Sequence, residues 1–317
     1  MMSGNQTTSK VGLLARHSLS TLARERTVAL LALLFLVLVV ISAYLGWSAT
    51  ATVNAIYLRS SEFMAAQGHT IPSNPVLDTS PLALLRNMAT YVSLIGALAA
   101  IVIGNQLVAG ERKAGTMPLI ATRPLRALDL GIAKLIALVA SIAALVLLAA
   151  VINTATFLVL PEFQLDPTGW AKLVSFYGIS GLYLLFFGAL GLWFGAAAKS
   201  ETVGLLVPVT IWLTLTFVLP QLTSNINPVA ALNPVSALAA PPATAFFQIS
   251  GWALGPFSIA EAYRVLSAQL LDFVPVDFVN RSAIPAIASL TLATAGAAVL
   301  ATRAIARMDM TKGDYDA

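Results

Sequence analysis

The chain has 317 residues, of which 58% are hydrophobic and only 10% are charged, and its mean hydropathy is +0.85. Soluble domains carry about 25% charged residues, so the composition excludes an ordinary soluble protein and predicts an all-α protein that crosses a membrane several times. The lack of cysteine excludes disulfides, thiolate metal sites and a cysteine nucleophile. The net charge of +4 does not indicate nucleic-acid binding, because in a membrane protein the side on which charges lie matters more than their sum.

The N-terminal region predicts a basic amphipathic helix over residues 10–26. Its polar side carries Arg16, His17, Ser20 and Arg24. The opposite stripe consists of Val11, Leu14, Ala15, Ser18, Leu19 and Leu22. This pattern is typical of a helix that lies along a membrane surface with its cations near anionic headgroups. The alternative is a positively charged flank that only sets the topology.

Six apolar stretches reach the about 20 residues that a helix needs to cross a bilayer. They lie at about residues 27–47, 88–109, 131–160, 173–197, 202–220 and 283–302. The first exceeds the about 7–15 residues of a signal-peptide core, so we interpret it as a retained membrane anchor. Residues 1–317 are therefore predicted to form a single transmembrane domain.

The positions of Lys and Arg predict that both termini are cytoplasmic. With the N-terminus inside, four of these residues lie in the N-terminal tail, five between the second and third spans, one between the fourth and fifth, and three in the C-terminal tail. The five left outside are Arg59, Arg86, Lys172, Arg264 and Arg281. Because cytoplasmic loops carry the excess of basic residues, this orientation is favoured over its inverse.

Two dipeptides predict where the second and fourth spans begin. Ser80 precedes Pro81, and Asp166 precedes Pro167. Ser and Asp cap helix N-termini, and proline is favoured at the first helical position. We therefore expect each helix to start before its apolar stretch.

The fourth and fifth spans are predicted to be antiparallel neighbours, because only residues 198–201 separate them. In the fourth span Gly181, Gly188 and Gly195 recur every seven residues. Small residues on one face allow helices to approach closely in lipid. Packing within the protomer and packing across a dimer seam fit this pattern equally well. Pro208 predicts a kink in the fifth span.

Residues 221–282 are predicted to lie outside the membrane or to re-enter it. Prolines in the first half, at 228, 234, 241, 242 and 256, exclude a full lipid-exposed span. The second half has an apolar helical stripe of Ile259, Tyr263, Leu266, Leu270 and Phe273, with Glu261, Arg264 and Asp272 elsewhere. This pattern favours a lid of amphipathic helices on the outer ends of the spans. A gate, or a dock for an extracytoplasmic partner, is the functional alternative.

Away from their ends, the predicted spans contain no Asp, Glu, Lys, Arg or His, and their conspicuous polar residues are Asn105, Gln106 and Asn153. Ion-coupled carriers place ionisable groups at depth, and intramembrane metalloproteases need His and Glu ligands, so both classes are disfavoured. The chain also lacks a phosphate-binding loop motif. We predict no catalytic residue, metal site or cofactor in this chain, so uphill transport requires a separate energy-supplying subunit.

Residues 110–134 form a basic segment between the second and third spans. Its charged residues are Arg112, Lys113, Arg123, Arg126 and Lys134 against Glu111 and Asp129. Gly115 and Pro124 disfavour one continuous helix, so the segment is expected to form short helical pieces joined by a bend. Such a compact basic segment can dock a cytoplasmic partner.

This segment resembles the loop between the second and third spans of ABC-2 type transporter permeases. The family pattern is Glu, three residues, Gly-Thr, an apolar run, Pro, a basic residue, and Gly-x-x-Lys entering the next span. The matching residues are Glu111, Gly115, Thr116, Met117, Leu119, Pro124, Arg126, Gly131 and Lys134. Pro118 departs from the family, so the first coupling turn is expected to start later. Within this family, the chain resembles permeases of nitrous-oxide-reductase maturation and gliding-motility systems.

The resemblance implies a permease subunit of an ABC exporter in a bacterial inner membrane. Its partners would be an ATPase subunit that holds ATP and magnesium, a second copy or paralogue of the chain, membrane lipids and an extracytoplasmic protein, without nucleic acid. The segment would form a coupling helix seated on the ATPase. The residues implicated are Glu111, Arg112, Lys113, Gly115, Thr116, Arg123, Pro124, Arg126 and Lys134.

The resemblance also implies a role for each part of the segment. Glu111 would pair with cations of the loop or the ATPase, and Gly115 with Thr116 would provide the bend. Arg123 and Arg126 would meet acidic groups or lipid phosphates, Pro124 would fix the return angle, and Lys134 would extend along the membrane edge.

Three alternatives remain open. The charges could serve only to set the topology. The chain could be a scaffold that anchors a complex without nucleotide dependence, or a facilitator that acts without an ATPase.

Overall fold

The computed structural model describes residues 4–76, 79–113, 115, 126–159, 165–227, 230–234, 242–272 and 283–308. Every regular element in these residues is helical, which confirms the all-α class. The helices are α1 (Gly4–Leu22), α2 (Arg26–Ala66), α3 (Pro81–Lys113), α4 (Ala127–Val159), α5 (Pro167–Ala197), α6 (Glu201–Ser224), α7 (Ala245–Leu254), α8 (Ile259–Leu270) and α9 (Ala283–Arg307). Thr116, Arg123 and Pro124 of the basic segment, and Phe273 of the outer stripe, lie outside the described residues.

Six of these helices, α2 to α6 and α9, are long and apolar enough to cross a membrane, which confirms the predicted number of spans. They extend past the predicted apolar stretches. The 41 residues of α2 correspond to about 60 Å at about 1.5 Å per residue, twice the roughly 30 Å of a hydrocarbon core. Gly46 of α2 lies against Leu84 at the start of α3. The part of α2 after this contact therefore projects beyond the bundle.

The fourth predicted span, α5, is the central helix of the bundle. It packs against α3, α4, α6, α8 and α9. Its side chains Phe176, Tyr183 and Phe187 are fully buried. Because a helix in lipid gains little by burying apolar surface, such a central position depends on close packing with each neighbour.

The two predicted helix starts are present. The Leu82 N–H donates to the Ser80 hydroxyl over 3.3 Å, and the Gly169 N–H donates to the Asp166 carboxylate over 2.8 Å. Pro81 and Pro167 follow these caps at the helix start. Hydrogen bonds from the Thr168 hydroxyl and the Gly169 N–H hold the pKa of Asp166 below its usual value. The carboxylate therefore stays ionised, and α5 stays capped, down to lower pH than for a free aspartate.

Both α3 and α6 contain irregular turns that the sequence analysis did not predict. A π turn occupies Val92–Gly96 in α3 and another occupies Thr214–Val218 in α6. The Trp212 indole N–H donates to the Ser93 carbonyl in the α3 turn over 3.1 Å. A π turn leaves carbonyls without their regular partners, and here a side chain of a neighbouring helix bonds to one of them. Pro208 lies inside α6, before its π turn.

The second half of the predicted outer segment contains α8, whose charged residues are not exposed. This helix is buried from Ile259 to Ala268, and its charged residues Glu261 and Arg264 are each only 3% exposed. It lies between α5, α9 and the π turn of α6. Its polar side meets polar groups of α6.

The contacts of Glu261 and Tyr263 explain why α8 is buried. The Thr223 hydroxyl donates to Glu261 over 3.0 Å, the Ser224 hydroxyl donates over 2.6 Å, and Arg264 donates over 3.3 Å. On another face, the Tyr263 ring stacks on Tyr183 with 4.4 Å between ring centroids. Buried charges require such pairing and hydrogen bonding. Partners almost 40 residues away in the chain could not be read from the periodicity of α8.

Candidate functional site

The predicted coupling residues that the structure describes gather at one end of the bundle. This end consists of α1, the last turn of α3, the first turns of α4 and the turn between α5 and α6, and we call it the basic end. The opposite end, where α3 and α5 begin, is called the far end. At the far end Lys172 pairs with Asp272 over 2.6 Å.

A buried ion pair joins α3 to α4 at the basic end. Glu111 is 3% exposed and Lys134 is 1% exposed, and the Lys134 ammonium donates directly to the Glu111 carboxylate. The same ammonium donates to the Ser18 hydroxyl of α1 over 3.0 Å. His17 Nδ1 lies 4.0 Å from Glu111 Oε1. Lys134 therefore does not extend along the membrane edge as expected, because it has acidic and hydroxyl partners inside the protein.

The N-terminal helix α1 covers one side of the Glu111–Lys134 ion pair. Its predicted stripe includes Ala15, Ser18 and Leu22, which are buried, and α1 packs against α4 and α3. Arg16 is exposed on its other side, and Arg24 is exposed in the turn that follows α1. The predicted amphipathic pattern is thus real, but part of its apolar face contacts protein. The short Ser18 side chain lets its hydroxyl reach Lys134.

The last turn of α3 is also tied to the turn between α5 and α6. Arg112 donates from its two terminal nitrogens to the carbonyls of Ala196 and Ala198, each over 3.0 Å. These carbonyls belong to the end of α5, where the helix dipole favours a cation. Lys113 pairs over 2.6 Å with Glu201, the first residue of α6. Both charges therefore hold α3 to its neighbours.

Gly115 ends α3. Its φ is +62°, in the left-handed region, and its N–H donates to the Arg112 carbonyl over 3.0 Å. A glycine in this conformation is the common way to end a helix. On the other side of the segment, Arg126 is exposed immediately before α4. The predicted site residues thus fall into two groups. Those within helices are buried or bonded to neighbouring helices, and those at the two ends of the segment are exposed.

Glycines bring α3 and α5 into backbone contact. A Cβ atom on Gly104 would overlap the Gly188 carbonyl, and one on Gly191 would overlap the Ile101 carbonyl. A Cβ on Gly195 would lie 3.2 Å from the Asn105 backbone oxygen, whereas one on Gly181 would lie at an ordinary 4.0 Å from Val146. Gly188 and Gly195 of the predicted seven-residue repeat therefore pack within the protomer. The repeat read from the sequence did not include Gly104, because Gly104 lies on α3 and the repeat lies on α5.

Asn105 is a buried polar residue beside this contact. Its side chain lies between Gly195 of α5 and Gly204 of α6. Among the described residues its amide has no hydrogen-bond partner. By contrast, the Asn153 amide donates to the Tyr177 hydroxyl over 2.9 Å and so joins α4 to α5. The sequence marked both residues as polar groups in apolar helices, without indicating their partners.

The comparison with protein families identifies the class of this protein. The profile of ABC-2 family transporter proteins matches residues 13–310, nearly the whole chain, so the chain belongs to this family. It is a multi-pass membrane protein and a permease component of an ABC transporter. Permeases of this family are normally non-catalytic and act with an ATPase in a separate subunit. Among curated proteins, none matches the chain significantly.

Proposed function

We propose that this chain is the membrane subunit of an ABC exporter and that its basic end docks a separate ATPase subunit. ATP and magnesium belong to that subunit. Two copies of the chain form the membrane part in a bacterial inner membrane, and the basic end faces the cytoplasm. The direction of transport rests on the resemblance of residues 110–134 to permeases that export.

The position of the two ends of the segment carries the proposal. Gly115 and Arg126 mark the points where the chain leaves α3 and enters α4. Close to these points α3 is joined to α4 and α1 through Glu111 and Lys134, and to the α5–α6 turn through Arg112 and Lys113. A force applied to the segment would therefore move five helices together.

Rigid-body motion is the mechanism that this geometry favours. Closure of two ATPase subunits would pull the segments of two permeases toward each other. Helices joined by buried ion pairs and backbone contacts do not deform continuously, so the bundles would rotate as units and change access to the path between them. The chain itself would supply no chemistry in this cycle.

The test is to purify the complex through a tag on this chain and to measure ATP hydrolysis. The variant is Arg123→Ala with Arg126→Ala, which removes two basic residues of the segment. The matched control is Arg16→Ala with Arg24→Ala, which removes two exposed basic residues at the same end, one in α1 and one in the turn that follows it. We expect the first pair to lose the ATPase or its hydrolysis several-fold, with the membrane subunit still folded, and the control to behave as wild type.

Two other outcomes would contradict the proposal. If no nucleotide-binding partner co-purifies under mild extraction, the scaffold and the facilitator become the better explanations, and transport by the chain alone separates them. If both double variants lose hydrolysis equally, the effect comes from net charge and not from the segment.

A further inference from the structure

A deep apolar groove opens on the side of the bundle, away from the basic end. Its volume is about 940 Å³. Phe186 of α5 and Val265 of α8 form its floor, Ala288 and Leu292 of α9 form one wall, and Trp252 with the adjoining Phe257 form the other. This is the size range of small-molecule sites, which span roughly 300–1,000 Å³. No part of the proposed ATPase docking uses it.

Helix geometry places the groove at the depth of the bilayer. Along α5, Phe186 lies 14 residues from Lys172 at the far end, or about 21 Å at about 1.5 Å per residue, and about 16 Å from Ala197 at the basic end. On α9, Leu292 lies about 15 Å from Thr302 by the same rise, and Thr302 contacts Gly131 at the basic end. The groove thus begins near the middle of the membrane and runs toward the far end.

The chemistry of the groove suits a hydrocarbon chain. Its lining is almost entirely aliphatic or aromatic. Among the described lining residues the one hydroxyl is that of Ser289, which donates to the Pro256 carbonyl and is therefore already bonded. The indole N–H of Trp252, in the exposed wall, is the other side-chain donor among the described lining residues. A site with so few hydrogen-bonding groups is poorly suited to orient a polar ligand inside it. An apolar chain would gain by filling it, because unfilled apolar space forfeits dispersion contacts.

The groove is also continuous with the lipid-facing surface. Leu292 in its wall is 72% exposed and Trp252 is 83% exposed. Both side chains face outward, and Leu292 lies at the bilayer depth derived above, where the neighbouring molecules are phospholipids. Tryptophan is enriched near membrane interfaces, where its ring contacts acyl chains and headgroups together. A phospholipid in the far-end leaflet can therefore place one chain in the groove without leaving the membrane.

We propose that this groove binds one acyl chain of a phospholipid from the far-end leaflet. The bound chain contacts α8 through Ile259, Ala262 and Val265. Glu261 of the same helix is directed to Thr223 and Ser224 of α6. The lipid and the buried polar cluster therefore hold α8 from different sides, and the lipid is part of the folded far end.

The test uses the exposed alanines of α9. Ala288→Phe adds an aromatic ring where the wall lines the groove, and the matched control Ala295→Phe adds the same ring at an exposed alanine outside it. The complex in mild detergent is titrated with dibromo-phosphatidylcholine, whose bromines quench tryptophan. The fluorescence of Trp252 is obtained by subtracting the fluorescence of the Trp252→Phe variant from that of the protein that retains Trp252. Native mass spectrometry counts the retained phospholipid.

We expect saturable quenching of Trp252 at one phospholipid per chain in wild type and in Ala295→Phe. In Ala288→Phe the bound phospholipid should fall at least several-fold, while the elution volume on gel filtration stays unchanged. Quenching that rises without saturation, equally in all variants, would overturn the proposal and leave the groove as ordinary lipid-facing surface. A third result would also overturn the proposal: the Ala288→Phe complex loses a protomer, and the wild-type complex retains no phospholipid. The groove would then be a contact between subunits.

Discussion

The side chains of Glu111 and Lys134 connect three helices at the basic end through one buried ion pair. Lys134→Met removes the cation and leaves the carboxylate of Glu111 in a buried site. Loss of one partner of such a pair costs about 3–5 kcal/mol, because the remaining charge stays desolvated. We therefore expect Lys134→Met to lower the midpoint of thermal unfolding in detergent sharply.

The double variant Lys134→Met with Glu111→Leu is the control for that prediction. Replacement of a whole buried ion pair by apolar residues of similar size is often neutral. Most of the lost stability should therefore return, although the bond to Ser18 is gone. A double variant as unstable as Lys134→Met would mean that Glu111 acts mainly through groups other than Lys134.

Asn105 gives a prediction of opposite sign. Its buried amide lacks a hydrogen-bond partner among the described residues, and an unsatisfied buried polar group costs about 1–3 kcal/mol. Asn105→Leu has nearly the same shape, so we expect higher thermal stability, measured by the fraction of folded protein that survives heating. Asn105→Ala leaves a space and should not stabilise. A less stable Asn105→Leu protein would indicate a polar partner, such as a bound water.

At the scale of helices, the α3–α5 contact depends on the absence of side chains. Gly191→Ala would place a methyl group on the Ile101 carbonyl, so α3 and α5 must move apart. Overpacking typically costs about 1–3 kcal/mol, and we expect a clear fall in the yield of folded protein on gel filtration. Gly178→Ala on the same helix meets nothing within 4 Å and should be neutral or stabilising, since alanine favours helix more than glycine. Equal effects of the two variants would refute a specific contact.

The elements most fully predicted from the sequence are those whose signals are local. Six apolar runs gave the six spans, and Ser80 and Asp166 marked helix starts because a cap acts within three residues. The burial of α8 was not predicted, because its polar face is completed by Thr223 and Ser224, which no local pattern connects to Glu261. Lys134 was misplaced for the same reason, since its partners lie on two other helices.

At the scale of the whole molecule, the ion pair between Lys113 and Glu201 has two candidate roles. It transmits force between α3 and α6, or it only adds stability. The two side chains are 55% and 34% exposed, and exposed ion pairs contribute only about 0–1 kcal/mol. Lys113→Gln, Glu201→Gln and the double variant should therefore melt like wild type. The Lys172 and Asp272 pair has the same 2.6 Å length at the far end, so Lys172→Gln is a matched control.

The proposed docking predicts a different effect of these variants on ATP hydrolysis by the whole complex. Without the ion pair, Arg112 still joins the last turn of α3 to the α5–α6 turn, but the link is weaker. Coupled hydrolysis should therefore fall several-fold in each single variant. The double variant should lose no more than either single one, because both act on one interaction. Lys172→Gln should leave hydrolysis unchanged. Two results would contradict this prediction: additive losses in the double variant, or an equal loss in Lys172→Gln. Either would mean that these charges act through the overall electrostatic field of the protein and not through a link between α3 and α6.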